Sequence, residues 1–239
     1  MNQYDLNTIL KIAAEKERTA CVFDLDSTLF NVSPRTQKII DEFADAHESK
    51  FKGVEILHTD WGLKESLYRA GFNSDENPEL HKTLIDYWVE RFFSNEYLHY
   101  DIPYAGAVSF VQQLAETNCE IHYLTGRDIK RMGLGTKQVL QKWGFPLKDN
   151  NLHLKPDRSI DDHTFKVEFM IKNFPENKYD NIYFFENEPV NINALFTQRS
   201  DIQIVYLDTT HSRREEVSVP VSIIKNFTTH LHNKTSGKP

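Results

Sequence analysis

Four short apolar runs, each ending abruptly in polar residues, constrain this chain more than any other feature. Thr19 to Phe23 runs into Asp24-Leu25-Asp26, and Glu120 to Leu124 runs into Thr125-Gly126-Arg127-Asp128. Asn181 to Phe185 gives way to Glu186-Asn187-Glu188, and Ile202 to Leu207 gives way to Asp208-Thr209-Thr210. An uninterrupted apolar strand is buried on both faces, as happens inside a parallel sheet. Between the runs the spacing is helical. Residues 5–17 carry Leu6, Ile9, Leu10 and Ala13, and residues 105–117 carry Val108, Val111, Leu114 and Ala115. Residues 128–143 carry Met132, Val139, Leu140 and Trp143 with a stop at Gly144, and residues 162–173 follow a cap at Asp161 or Asp162. Strands alternating with helices predict βαβ units and an α/β fold around a parallel sheet. Ligands of such sheets bind beyond the carboxyl ends of the strands, so polar residues at three of these ends should share one crevice.

Residues 33–100 break this rhythm. They read as mainly helical, strongest over residues 37–47 and 79–93, and are too long for a loop. The expected organisation is a core of residues 1–32 and 101–225, a helical cap of residues 33–100, and a flexible tail of residues 226–239. The 239-residue length suits one core with an insert. A net charge of -7, and eight Lys/Arg against thirteen Asp/Glu in residues 33–100, make nucleic acid an unfavoured partner. Cys21 and Cys119 sit inside apolar runs and suit inert thiols of a reducing compartment. No apolar stretch reaches the roughly 20 residues of a membrane span, and the charged N-terminal segment does not suit a signal peptide. The expected location is cytoplasmic.

In an extended chain alternate side chains share a side, so Asp24 and Asp26 can face one substrate. Asymmetric use suits phosphoryl transfer. One carboxylate, held ionised by a cation, attacks phosphorus; the other, kept protonated, gives a proton to the leaving oxygen. The structural alternative is an Asx turn in which both satisfy local N–H groups.

With its apolar strand before it and Leu29 after it, the stretch Asp24, Asp26, Thr28 resembles the first motif of the haloacid dehalogenase-like (HAD) hydrolases, Asp-x-Asp-x-Thr/Val. The resemblance implies a three-layer Rossmann-like sandwich with a cap inserted after the first strand. It implies Asp24 as nucleophile through an aspartyl-phosphate, Asp26 as general acid/base, and the Asp26 carbonyl as a holder of Mg²⁺. Dehalogenases of the family lack the second Asp, so Asp26 points to phosphorus. Thr125 matches the second motif. Its hydroxyl, with an N–H from Gly126, would bind the phosphoryl group; the alternative is a helix N-cap. Arg127 has a weaker case for a functional role and reads as a structural ion pair. For the third-motif Lys two residues compete. Lys166 lies 20 residues before Glu186, a distance that suits one helix and one turn; Lys155, beside Pro156, lies 31 before it. The fourth motif departs from the family's Asp-Asp or Gly-Asp-x-x-x-Asp, reading Glu186-Asn187-Glu188-Pro189. Glu186 and Asn187 are the metal candidates there, and Glu188 is expected to point away.

The implied function is a Mg²⁺-dependent phosphatase acting on a small phosphorylated metabolite; the motifs set no oligomeric state. A phosphotransferase or mutase, a nucleic-acid end-processing phosphatase, and a non-catalytic binding domain are the alternatives. In the insert, Trp61, Tyr68, Trp88, Phe92, Phe93 and Tyr97 could stack on a ring-bearing leaving group, although helical spacing makes Trp88, Phe92 and Phe93 candidates for its own core.

Overall fold

The computed structural model describes residues 5–15, 18–47, 51–72 and 75–229. Helix α1 (Leu6–Ala14) leads into β1 (Thr19–Phe23) and the short β2 (Phe30–Asn31). Helices α2 (Ser33–His47), α3 (Leu63–Arg69) and α4 (Pro78–Phe92) follow, then a 3-10 turn over Leu98–Tyr100 and β3 (Ile102–Pro103). The remainder alternates: α5 (Ala107–Ala115), β4 (Glu120–Asp128), α6 (Ile129–Trp143), β5 (Leu152–Lys155), α7 (Asp162–Asn173), β6 (Asn181–Glu186), α8 (Pro189–Gln198), β7 (Gln203–Leu207) and β8 (Ser222–Ile224).

Six strands form one sheet in the order β5-β4-β1-β6-β7-β8, every neighbouring pair parallel. Alternation along β1 builds two cores. Cys21 and Phe23 pack with Ile9 of α1, Phe110 and Leu114 of α5 and Leu140 of α6. Ala20 and Val22 pack with Met170 of α7 and Leu195 of α8 on the other face. The result is a three-layer α/β sandwich. A slip of one residue in β1 would send each set to the wrong layer, so burial fixes the register.

The chain leaves the core after β2 and returns through β3, which pairs antiparallel with it, Phe30 opposite Pro103. The helices between them hold a separate apolar cluster that includes Ile40, Phe43, Phe51, Leu67 and Leu84.

Three sequence expectations shift. Phe227, assigned above to a flexible tail, is buried against Phe23, Phe110 and Phe185, and its amide donates to the Ala105 carbonyl at 2.8 Å. Residues 230–239 of that tail lie outside the described residues. Strands β5 and β8 are edge strands with partly exposed positions, so no apolar run announces them. Strand β4 does not stop at Leu124 but continues, with an irregularity, to Asp128. Thr125 is therefore not the N-cap of α6; Asp128 is, accepting from the Arg131 amide at 2.9 Å.

Candidate active site

Strand β1 lies between β4 and β6, with Phe23 level with both Tyr123 and Phe185. The Asp24 amide donates to the Phe185 carbonyl at 3.0 Å, which brings Asp24 level with Glu186. The chain then turns sharply. The Leu25 carbonyl accepts from the amides of Thr28, Leu29 and Phe30, and buried Leu25 and Leu29 anchor the turn. Ser27 takes the left-handed conformation, φ 60°, which few non-glycine residues adopt. It is held by its amide donating to the Phe30 carbonyl at 2.8 Å and by the Thr209 hydroxyl donating to its own carbonyl at 2.6 Å. The Thr28 hydroxyl donates to Asn187 Oδ1 at 3.0 Å, tying the turn to the end of β6.

Two charge clusters result. In the first, the buried ammonium of Lys166, one turn into α7, donates to Asp24 Oδ1 at 2.6 Å and to Glu186 Oε2 at 2.7 Å. Burial pushes the Asp24 carboxyl up, to about 7, with Lys166 opposing and Glu186 adding to the rise. Burial works against the charged form of Lys166 too, but Asp24 and Glu186 outweigh it and hold the ammonium firmly protonated. Lys155, the competing candidate, bonds instead to Asp162 and to the Ile160 carbonyl.

In the second cluster Asp26 Oδ1 accepts from Arg35 Nη2 and Arg127 Nη2, both at 2.7 Å, and Oδ2 accepts from Arg127 Nε at 3.0 Å. Asp101 completes it, accepting from Arg35 Nε at 2.8 Å and from Nη2 of both arginines at 2.7 Å. Burial alone would raise the Asp26 carboxyl, but the Arg127 and Arg35 guanidiniums hold it well below the usual carboxylate range. The sequence expectation of a protonated Asp26 is thereby corrected: in this arrangement it is ionised. Arg127, read above as a structural ion pair, is half of that clamp.

Both clusters open onto one crevice of about 440 Å³, whose wall also includes Gly126, Lys155, Asn187 and Glu188. At Gly126 the Asp162 carboxylate lies close, so that a Cβ there would be 2.2 Å from Asp162 Oδ2 and would push that side chain aside. Thr125 is not part of this wall. It is buried, and its Oγ accepts from the Arg127 amide at 3.3 Å. Glu188 turns inward rather than away, and both its oxygens accept from Ser212.

The oxygen-rich crevice fits a hard cation such as Mg²⁺, which binds through one or two carboxylates with substrate oxygens and water. Asp24 Oδ2 has no donor among the described residues, and it is the carboxylate oxygen that would hold the ion, beside the Asp26 carbonyl. Glu186 and Asn187, expected as direct ligands, both bond within the protein here. Glu186 Oε1 accepts from the amides of Asn187 and Glu188, and Oε2 from Lys166 and Asn191. Asn187 Oδ1 is taken by Thr28, and its Nδ2 donates to the Thr210 carbonyl. No group of three His, Cys, Asp or Glu among the described residues forms a ready cage.

Sequence reasoning missed Arg35 and Asp101. They carry no local motif; their one signal is position, at the two ends of the helical insertion where the chain leaves and re-enters the core.

A family model described as haloacid dehalogenase-like hydrolase matches residues 19–144, more than half of the chain and the stretch that holds Asp24, Asp26, Arg35, Asp101 and Arg127. Comparison with curated proteins finds no match. Solved structures do match. A haloacid dehalogenase-like hydrolase from Burkholderia xenovorans LB400 is 12% identical with a TM-score of 0.55, covering 88% of this chain and 94% of that one. A candidate phosphatase from Clostridium difficile is 13% identical with a TM-score of 0.56, covering 89% and 96%. The HAD-hydrolase YfnB from Bacillus subtilis, described as bound to magnesium, is 12% identical with a TM-score of 0.52, covering 89% and 96%. At these identities the structures speak for the fold alone, which is the three-layer sandwich described above. Together with the family model spanning the aspartate turn, they place this chain among the haloacid dehalogenase-like hydrolases.

Proposed function

We propose that this protein is a phosphatase that hydrolyses phosphomonoesters through an aspartyl-phosphate on Asp24. The observation that supports it most is the Lys166 ammonium bonded at once to Asp24 and Glu186, with a second aspartate two residues beyond the first. Asp24 attacks phosphorus in line while the ester P–O bond breaks, and the leaving oxygen takes its proton from solvent water. Lys166 and the Gly126 segment offset charge on the transferring group. A water molecule then attacks the phosphoryl group and passes its proton to the ionised Asp26, the bond between the Asp24 oxygen and phosphorus breaks to restore the carboxylate, and Asp26 releases the proton to solvent. A Mg²⁺ bound at Asp24 would offset phosphate charge and lower repulsion between the two anions. Arg35 and Arg127 keep Asp26 ionised and fixed in place, at the cost of making it a weak base.

Phosphate release from 4-nitrophenyl phosphate tests the reading. Asp24→Asn should lower turnover at least about a thousandfold while the fold persists, as expected for loss of a nucleophile. Halide release from a 2-haloacid, with no phosphate release from any ester, would instead move the attack from phosphorus to carbon.

A further inference from the structure

Beside the catalytic crevice, a second and larger groove of about 1250 Å³ runs along the helical insertion. The two share Trp61, and the segment that follows β7 lines both, through Arg214 in the crevice and Ser212 and Arg213 in the groove. We propose that the groove is the leaving-group site of the phosphatase, and that the physiological substrate carries an extended, uncharged, ring-bearing group that leaves the crevice across Trp61.

The segment that presents Trp61 is braced, whereas the indole is not. Asp60 accepts from the Leu57 amide at 2.8 Å and from Arg69 at 2.7 and 3.0 Å. The Thr59 carbonyl accepts from the Thr210 hydroxyl at 3.0 Å, which fastens the segment to the core. Trp61 itself is 47% exposed, and neither its ring nor its indole N–H has a partner among the described residues. A large apolar ring held in place without a partner of its own is a platform for something else.

Beyond it the groove continues over Tyr68, which is 84% exposed, and the half-buried Phe72, Ile85 and Trp88. Phe72 and Trp88 are held by Phe51 and Phe92, so this wall is built rather than incidental. The charged residues of the groove cancel: Lys64 and Arg213 against Glu65 and Asp75, with Arg213 bonded to Glu65 at 3.1 Å. A polyanion therefore finds no net attraction, while a neutral ring finds aromatic surface. The volume exceeds what a small sugar phosphate would fill.

This inference rests on the phosphatase reading, and the two fail differently. The test uses ethyl, benzyl and 2-naphthylmethyl phosphate, alkyl esters whose leaving alcohols differ mainly in ring size. KM should fall about tenfold or more from ethyl to naphthylmethyl phosphate with a smaller change in kcat, since ring burial acts mainly on binding. Trp61→Ala should shrink that KM ratio to about twofold, and Tyr68→Ala should reduce it by less. Trp61→Phe, which keeps an aromatic face, should restore most of the ratio. No phosphate release from any of the three would overturn the phosphatase reading. Release with a flat KM series, or a ratio that survives Trp61→Ala, would leave that reading standing and overturn the groove assignment.

Discussion

Asp24, which is buried, and Asp26, whose side chain is one-third exposed, are two residues apart in the same turn and sit in opposite electrostatic surroundings. Around Asp24 a single ammonium serves two carboxylates, so the cluster of Asp24, Glu186 and Lys166 carries a net charge of about minus one. Around Asp26 two guanidiniums serve two carboxylates, and the cluster is neutral. Burial raises both carboxyls; one ammonium leaves Asp24 up at about 7, whereas two guanidiniums hold Asp26 well down. What separates them is the number of cations that tertiary structure delivers, not their own sequence context. The uncompensated cluster is the one suited to receive a divalent cation and to react. The neutral cluster is suited to hold a geometry.

Removing one charge from the neutral cluster should produce the largest effect. Asp101→Ala leaves two buried guanidiniums with one carboxylate, and breaking a buried pair in this way typically costs about 3–5 kcal/mol. Urea unfolding should register that loss. Adding Arg35→Met to Asp101→Ala leaves Asp26 and Arg127 as a matched pair, so the double variant should be more stable than the single one. A single variant within about 1 kcal/mol of the parent would mean that Asp101 does not hold the cluster together.

The difference between the clusters also explains what could be read from the sequence. Asp24, Asp26, Lys166 and Glu186 were visible because each follows an apolar strand or lies one helix before one, and a parallel sheet brings such ends together. The competition between Lys155 and Lys166 was resolved by distance along the chain, since one helix and one turn before β6 carry Lys166 to Asp24. Arg35 and Asp101 left no such trace. They lie 66 residues apart, and only the ribbon of β2 and β3 closes the insertion so that they meet. The bonding of Glu186 was equally hidden. A carboxylate at a strand end reads as a metal ligand, but whether backbone amides fill its oxygens depends on how the chain enters α8. Phe227 shows the same limit, because one aromatic in a polar stretch becomes core only when Phe23, Phe110 and Phe185 leave a place for it.

A second way to sharpen the contrast is to vary the leaving group. Because Asp26 is ionised in the free protein, it serves the attack of water on the aspartyl-phosphate and not the departure of the leaving oxygen, and that step is common to every ester. Asp26→Asn should therefore lower kcat for 4-nitrophenyl phosphate by about tenfold, or about 1.4 kcal/mol, and should lower kcat/KM for benzyl and 4-nitrophenyl phosphate by similar, smaller factors. A much larger loss of kcat/KM on benzyl phosphate would mean instead that Asp26 gives a proton to the leaving oxygen.

The smallest expected effect is in the pH dependence of stability, where the two aspartates should act in separate windows. The folded-state pKa of Asp24 lies above its unfolded value of about 3.9, so between about pH 4 and pH 7 the folded protein binds more protons than the unfolded chain. Its contribution to stability accordingly falls as pH rises through that window. Asp26 is shifted the other way, so its contribution is present above about pH 4 and is lost as pH falls below it. Each group can contribute at most about 1.4 kcal/mol per pH unit. Unfolding free energies measured from pH 3 to pH 8 with EDTA present should therefore show two separable changes. Asp24→Asn should remove a decline between pH 4 and pH 7, and Asp26→Asn should flatten the loss below pH 4. If Asp24→Asn leaves the slope between pH 4 and pH 7 untouched, then Lys166 compensates Asp24 as fully as the two arginines compensate Asp26. The distinction between a charged, reactive cluster and a neutral, structural one would then have no electrostatic basis.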